Sequence, residues 1–383
     1  MWECVSSEQF VIGFQRPNHV VIRFQKRNQK PERLYLSLKE SIMRKMIIGF
    51  IGNGKGINRY HIPFIRTRRD KFIIKTIYSR HPSDAWEKIP GANYVYNIDE
   101  LLQDPEIELI VVSTPSPSHY EMTKQVILAG KNVVCDKPFC ETRAQAKELF
   151  ALGREKGVMV QCYQNRRFDS DFLTTQKVIE SGKIGDLLEV EMSFDYYRPE
   201  VPENTEHFDV ITSFLYGHAC HTLDQVISYF GKPDRVHYDV RQLLGEDRLN
   251  DYFDIDLYYG VTKVSVKSSY FRIKERPSFI AYGTRGMFVK AGKDKQETHL
   301  KLFYMPYDHK DFGIDLPEDY GILTYYDKDG VYHEEKVVSE NGDYARYYDA
   351  VYETIVNGAP QLVTPEQTLL QLSMLEEGIK NCK

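Results

Sequence analysis

Apolar residues in the first half of the folded chain come in short, unbroken runs. Met46 to Ile51 reads MIIGFI and stops at Gly52-Asn53-Gly54-Lys55-Gly56, the pattern of a buried strand entering a glycine-rich turn. Phe72 to Tyr78 (FIIKTIY), Leu109 to Val112, Asn132 to Cys135 and Val158 to Tyr163 repeat it at intervals with room for helices between them. Asn97 is placed to cap a short helix through Ile98, Leu101 and Leu102. Ser118 to Ala129 reads as a helix closed by Gly130, and Thr142 with Gln145 matches a capping box opening a helix that ends near Gly157. Runs without polar alternation suit strands covered on both faces. Strands alternating with helices at this spacing predict βαβ units on a parallel sheet.

The pattern changes after about Asp169. A helix ends near Ser181-Gly182, and stretches rich in Val, Tyr, Phe and Thr follow: Leu187 to Tyr197, Arg235 to Leu243 and Tyr252 to Phe271. Within the first, Glu189, Glu191 and Ser193 alternate with Val190, Met192 and Phe194, as in a half-buried antiparallel strand. Tyr344 to Lys380 returns to a helical pattern. The fold expected is an α/β Rossmann domain with a parallel sheet over residues 46–164. An α+β domain with a large, mostly antiparallel sheet follows over residues 165–383. Residues 1–45 stand apart as a polar, basic extension, expected to be poorly ordered, with Arg23, Lys26, Arg27, Lys30 and Arg33 in its second half. Glu3 and Glu8 argue against a transit peptide, which is poor in acids.

Composition narrows the function classes. A net charge of -5 argues against a nucleic-acid-binding chain. No apolar run approaches the roughly 20 residues that cross a bilayer. The 6 cysteines are scattered without a CxxC pair, which is no disulfide framework. A cytoplasmic protein acting on a small molecule is the expectation.

Glycines directly after a buried strand let a pyrophosphate approach the backbone and the head of the next helix. Gly52, Asn53, Gly54, Lys55, Gly56 and Ile57 are therefore the candidate dinucleotide contacts, although Ile57 occupies the place of the third glycine of the GxGxxG pattern. The second strand ends Tyr78-Ser79-Arg80-His81, where an NAD site usually carries an acid for the ribose 2′-hydroxyl. Ser79 and Arg80 would instead hold a 2′-phosphate, and Arg suits bidentate phosphate contacts. NADP is expected ahead of NAD, with NAD still admissible.

Further along stand Ser113-Thr114-Pro115-Ser116-Pro117-Ser118-His119, Ala129-Gly130-Lys131-Asn132-Val133, Asp136-Lys137-Pro138, Tyr163-Gln164-Asn165-Arg166-Arg167-Phe168 and Gly217-His218-Ala219-Cys220-His221-Thr222-Leu223-Asp224. In this order they resemble the Gfo/Idh/MocA family, the glucose–fructose oxidoreductase and inositol dehydrogenase group, from about Met46 onward. Asp136 replaces the family's usual Glu. The resemblance implies a Rossmann domain and a mixed-sheet domain often used to form a homo-oligomer, a dimer or tetramer. It also implies cofactor contacts from Thr114, Pro115, His119, Asp136 and Lys137.

The reaction implied is hydride transfer between NADP(H) and a sugar, polyol or related carbonyl compound. The cofactor carries the hydride, and the protein supplies position and a proton. Lys137 follows a strand, so it would lie at the carboxyl edge of the sheet, where open α/β folds bind ligands. It is the first candidate for proton transfer, and His221 is the second. Many relatives carry D-x-G-x-H-x-x-D here; this chain keeps His221 and Asp224 but has Gly217 for the first Asp. That puts a three-member proton relay in doubt. Asn165, Arg166, Tyr197, His221 and Asp224 are the substrate-binding candidates, with Tyr196 and Arg198 at the same strand end. One of Arg166 and Arg167 equally suits bracing the two domains. His218, Cys220, His221 and Asp224 suit zinc by type, but their spacing on one helix converges poorly, and no metal is expected. Two other readings stand beside the first. One is a non-catalytic dinucleotide sensor of the same fold. The other is an enzyme for a different substrate, such as a tetrapyrrole or dihydrodiol.

Overall fold

The computed structural model describes residues 11–14, 20–23, 44–200, 210–243 and 250–382. The chain divides into two compact units, residues 1–45 and 46–383. In the first, β1 (Val11–Phe14) pairs antiparallel with β2 (Val20–Arg23). The rest of the extension expected to be poorly ordered, apart from Arg44 and Lys45, lies outside the described residues.

The second unit opens with a parallel sheet of β3 (Met46–Ile51), β4 (Phe72–Tyr78), β5 (Asn93–Val95), β6 (Leu109–Val112), β7 (Asn132–Cys135) and β8 (Val160–Cys162). The spatial order is β5-β4-β3-β6-β7-β8. The order reverses between β3 and β6, and the carboxyl ends of strands at such a switch point frame a ligand crevice. All four residues of β6 are buried, as its unbroken apolar run requires. The helix Arg143–Lys156 starts at the Thr142–Gln145 capping box and stops at Gly157, whose φ of 68° is the left-handed geometry that Gly adopts without steric cost.

The second sheet holds β9 (Leu187–Ser193), β10 (Arg235–Arg241), β11 (Tyr252–Tyr259), β12 (Thr262–Ser269), β13 (Phe279–Gly283), β14 (Gly286–Lys290), β15 (Gly321–Tyr326) and β16 (Tyr332–Val337). Its order is β10-β11-β12-β9-β13-β14-β15-β16, antiparallel throughout except where β12 meets β9. The fold class is therefore a Rossmann-like parallel sheet followed by a mostly antiparallel one.

Three boundaries differ from the sequence reading. Tyr252 to Phe271 is not one stretch but a hairpin, turned at Gly260, whose φ is 58°. Leu187 to Tyr197 leaves the ladder at Ser193. Tyr344 to Lys380 is two helices, Ala345–Asn357 and Pro365–Lys380. The first ends on Gly358, at φ 70°, and the second starts at a Thr364–Gln367 capping box with Pro365 in its first turn. Helix Pro365–Lys380 packs on both halves, against Arg143–Lys156 and against Cys220–Phe230. Among the described residues no helix is long and apolar enough to cross a membrane.

Candidate active site

The glycine turn sits at the carboxyl end of β3. Gly52 has a φ of 119°, and a Cβ there would lie 2.4 Å from the Ser113 carbonyl oxygen. At Gly56 a Cβ would lie 2.3 Å from Ser113 Oγ and 3.4 Å from Asp136 Oδ2. Gly54 is different, because a Cβ there would meet nothing within 4 Å. The helix that follows, residues 55–66, contains a π-wound turn at Ile57–His61. Ile57 is fully buried, so the third place of the glycine pattern is used for packing. Asn53 Oδ1 accepts from Asn58 Nδ2 at 3.0 Å, which pins the turn to that helix. A left-handed residue, an open face at Gly54 and a helix N-terminus together fit a dinucleotide pyrophosphate. At the end of β4, Ser79 Oγ donates to the His81 carbonyl at 2.9 Å, while Arg80 and Lys55 are exposed.

After β6, Thr114 Oγ1 and Ser118 Oγ are 2.7 Å apart, and the Pro115 carbonyl accepts from Ser118. His119 is buried with one ring nitrogen 2.7 Å from the Pro138 carbonyl and the other 2.9 Å from the Thr114 carbonyl. Two carbonyl acceptors call for two ring N–H donors, which is the imidazolium. Burial opposes that form, but Cys135, Asp136 and the Pro138 carbonyl raise the pKa to about 9. His119 thus ties the loop after β6 to the turn after β7. That turn contains a cis Lys137–Pro138 bond. Asp136 Oδ1 accepts from the Lys137 backbone N–H at 2.8 Å, and Oδ2 accepts from Ser113 Oγ at 2.8 Å. Burial pushes the Asp136 carboxyl up, but His61, followed by Lys137 and His119, holds it well below its ordinary range.

Lys137 then reaches a cavity of about 220 Å³. From the second half Phe194, Tyr196, Arg198, His218 and His221 line it, and Arg166 enters from the segment after β8. Lys137 Nζ lies 3.3 Å from the Gly217 carbonyl oxygen, on a π turn, Leu215–Ala219, that leads into helix Cys220–Phe230. His221 keeps a neutral ring: burial, then Lys137 and Arg166, hold its pKa well below 6.5. Its Nδ1 is buried with no hydrogen-bond partner. His218 is also neutral, its pKa drawn down to about 3 by burial and then by Lys137, and its Nδ1 faces the Phe214 carbonyl at 3.0 Å.

Of the substrate-binding candidates, Arg166 and His221 line this cavity, and Asn165, Tyr197 and Asp224 do not. Asn165 is buried in the 3-10 turn before Arg166. Asp224 is 2 % exposed and accepts two 2.7 Å bonds from Arg167, which also bonds the Leu362 carbonyl. Arg167 is therefore the brace and Asp224 its counter-ion, which removes Asp224 from the substrate face. Tyr197 is exposed, because neighbours along an extended strand face opposite ways; Tyr196 takes the cavity side. Glu297 and Lys301, on helix Gln296–Lys301, were not singled out from the sequence yet complete the wall. An i,i+4 Glu–Lys pair is an ordinary surface-helix pattern and carried no signal. Glu297 accepts from Arg166 and, at 2.8 Å, from Lys301. Burial raises its pKa, but Arg166 and Lys301 hold it far below the usual range, so it stays ionised.

Comparison with known proteins matches residues 46–164 to the GFO_IDH_MocA model, an oxidoreductase family with an NAD-binding Rossmann fold. Residues 176–383 match that family's C-terminal alpha/beta domain. The chain is 45% identical over 334 residues to the uncharacterized oxidoreductase YhhX of Escherichia coli, covering 86% of this chain and 95% of that one. It is 33% identical over 337 residues to the scyllo-inositol 2-dehydrogenase (NADP(+)) IolW of Bacillus subtilis, covering 88% and 93%. The crystal structure of an oxidoreductase from Bacillus cereus superposes with a TM-score of 0.82 at 43% identity, over 88% of this chain and 96% of that chain.

Proposed function

The chain belongs to the Gfo/Idh/MocA oxidoreductase family, and from that premise we propose that it exchanges hydride between NADP(H) and a sugar, polyol or related carbonyl compound. One observation carries the reading: Lys137, from the turn after β7, and His221, from the second half of the chain, line one cavity. Asp136 links Lys137 to the glycine turn, since it touches the turn beside Gly56 and anchors the Lys137 backbone.

A bound nicotinamide supplies the hydride chemistry. Lys137 Nζ gives the proton to a substrate carbonyl oxygen or takes it from an alcohol. His221, neutral and lining the same cavity, orients that oxygen. Arg166, fixed by Glu297 and Asp169, keeps the cavity wall in place. The Gly52–Ile57 turn would hold the pyrophosphate, with Thr114 and Pro115 beside it. Ser79, Arg80 and Lys55 would hold the 2′-phosphate, a charge-assisted contact that NADH cannot make. The NADP(+) dependence in the name of the IolW relative, and its polyol substrate, support both parts of the reading.

The test is a fluorescence titration with NADPH and NADH, followed by turnover with a panel of sugars, polyols and their ketones. NADPH is expected to bind about tenfold or more tightly than NADH, and Arg80→Ala to remove that preference. Lys137→Ala is expected to cut kcat by about 10²–10⁴-fold with NADPH affinity kept. Equal affinity for the two cofactors would refute the NADP assignment. NADPH binding without turnover of any carbonyl would favour the nucleotide-sensing reading, to which the missing carboxylate at Gly217 lends its only support.

A further inference from the structure

We propose that the substrate of this cavity carries an oxyanion, a carboxylate or phosphate ester, and that Arg198 binds it with Lys301 beside it. The proposal rests on the reading of the cavity as the substrate site and names the substrate class. Lys137, Arg166, Arg198 and Lys301 line the cavity, and Glu297 is the only carboxylate among the described lining residues. Glu297 is shared between Arg166 and Lys301, and Arg166 meets Asp169 at 3.3 Å with its other amino group. Both lining histidines are neutral. Lys137 and Arg198 therefore face the cavity with no carboxylate within ion-pair distance among the described residues.

The two are not equivalent. Lys137 can shed its charge by giving up a proton, which is its proposed task. Arg198 cannot, because a guanidinium stays protonated in proteins. Its neighbours are aromatic: the guanidinium carbon lies 4.8 Å from the Tyr196 ring centre and 6.0 Å from that of Tyr270. Its backbone N–H donates to the Tyr270 carbonyl at 2.8 Å, which fixes the base of the side chain. A guanidinium held over aromatic rings keeps its planar fork available for a bidentate oxyanion. Arg198 and Lys301 are exposed, so beside a neutral polyol their charge stays hydrated, whereas an oxyanion gives it a direct charge-assisted partner.

Gly217 bears on the same balance. A Cβ there would meet nothing within 4 Å, so a side chain could begin at this position without a clash, yet the chain carries none. With glycine the cavity stays positive. The cofactor does not account for the excess either. Its pyrophosphate is read onto the β3 turn, whereas Phe194, Tyr196, Arg198, His218 and Glu297 belong to the second half of the chain.

The test is isothermal titration of the protein, with and without NADPH, against matched alcohols that NADPH cannot reduce. The pairs are sorbitol against gluconate and sorbitol 6-phosphate, and glycerol against glycerate and glycerol 3-phosphate. In at least one pair the anionic member is expected to bind about tenfold or more tightly than the neutral one, and the carboxylate and phosphate arms identify the oxyanion. Arg198→Met should erase the difference while leaving NADPH binding intact, Arg198→Lys should restore part of it, and Gly217→Asp should weaken the anion. Equal affinity for neutral and anionic members, no binding of any anion, or a preference that survives Arg198→Met would each overturn the proposal. Loss of NADPH binding or of carbonyl turnover would instead count against the oxidoreductase reading, because the anion titration without cofactor is independent of both.

Discussion

Two carbonyls hold His119, and the charge this implies has a consequence for stability. Its folded pKa, about 9, lies above the 6.5 of an unperturbed histidine. A raised pKa stabilises the fold fully below about pH 6.5, and the contribution is lost as pH rises through about 9. At 1.36 kcal/mol per pKa unit the loss is on the order of 3 kcal/mol. Urea denaturation at pH 6, 7.5 and 9 should show wild type losing stability against a His119→Gln variant across that range; parallel curves would mean that the ring is neutral. Arg167 offers a second residue-scale case. Arg167→Met strands the buried Asp224 carboxylate, and removing one partner of a buried pair costs about 3–5 kcal/mol, readable as a fall in Tm. In the sequence Asp224 was legible only as part of a motif. That its oxygens face Arg167 depends on a contact 57 positions away, which no local pattern encodes.

Elements were legible in proportion to how fully they are buried. β3, β6 and β7 show as plain apolar runs because nearly every residue in them is buried. β13 to β16 did not show, because they are short, begin or end in glycine, or alternate charged and half-exposed residues, as in Tyr332–Val337. The glycine turn was read correctly as an element, but the division of labour among its glycines needed the structure. Gly54→Ala should leave Tm almost unchanged, since its Cβ enters open space, yet weaken NADPH binding if the pyrophosphate occupies that space as proposed. Gly56→Ala should lower both, since its Cβ collides with Ser113 Oγ and disturbs the Asp136 anchor. A thermal melt paired with a cofactor titration separates the two outcomes, and equal behaviour of the two variants would contradict the assignment.

At the scale of the molecule, the change from βαβ order to alternating strands was visible in the sequence, and so were most of the residues that meet at the cavity. Glu297 and Lys301 were not, because they reach it from a helix far along the chain whose local pattern is that of a solvated surface. Both matched family domains lie within residues 46–383, so a chain lacking residues 1–45 is expected to fold and bind NADPH like the full protein. Circular dichroism and the same titration check this, and an unfolded truncation would show it wrong. The C-terminal segment has a wider effect. Tyr347 donates to the Cys162 carbonyl at 2.7 Å, the Tyr348 hydroxyl meets His61 Nδ1 at 2.6 Å, and Glu376 accepts from the Arg143 backbone at 2.7 Å. These contacts close the nucleotide-binding half from residues synthesised well after its sheet is complete. A nascent chain with its first sheet complete still lacks the part of that half's packing that Tyr347, Tyr348 and Glu376 provide, so the first half of the fold to be synthesised has to wait for the second before its own contacts are complete.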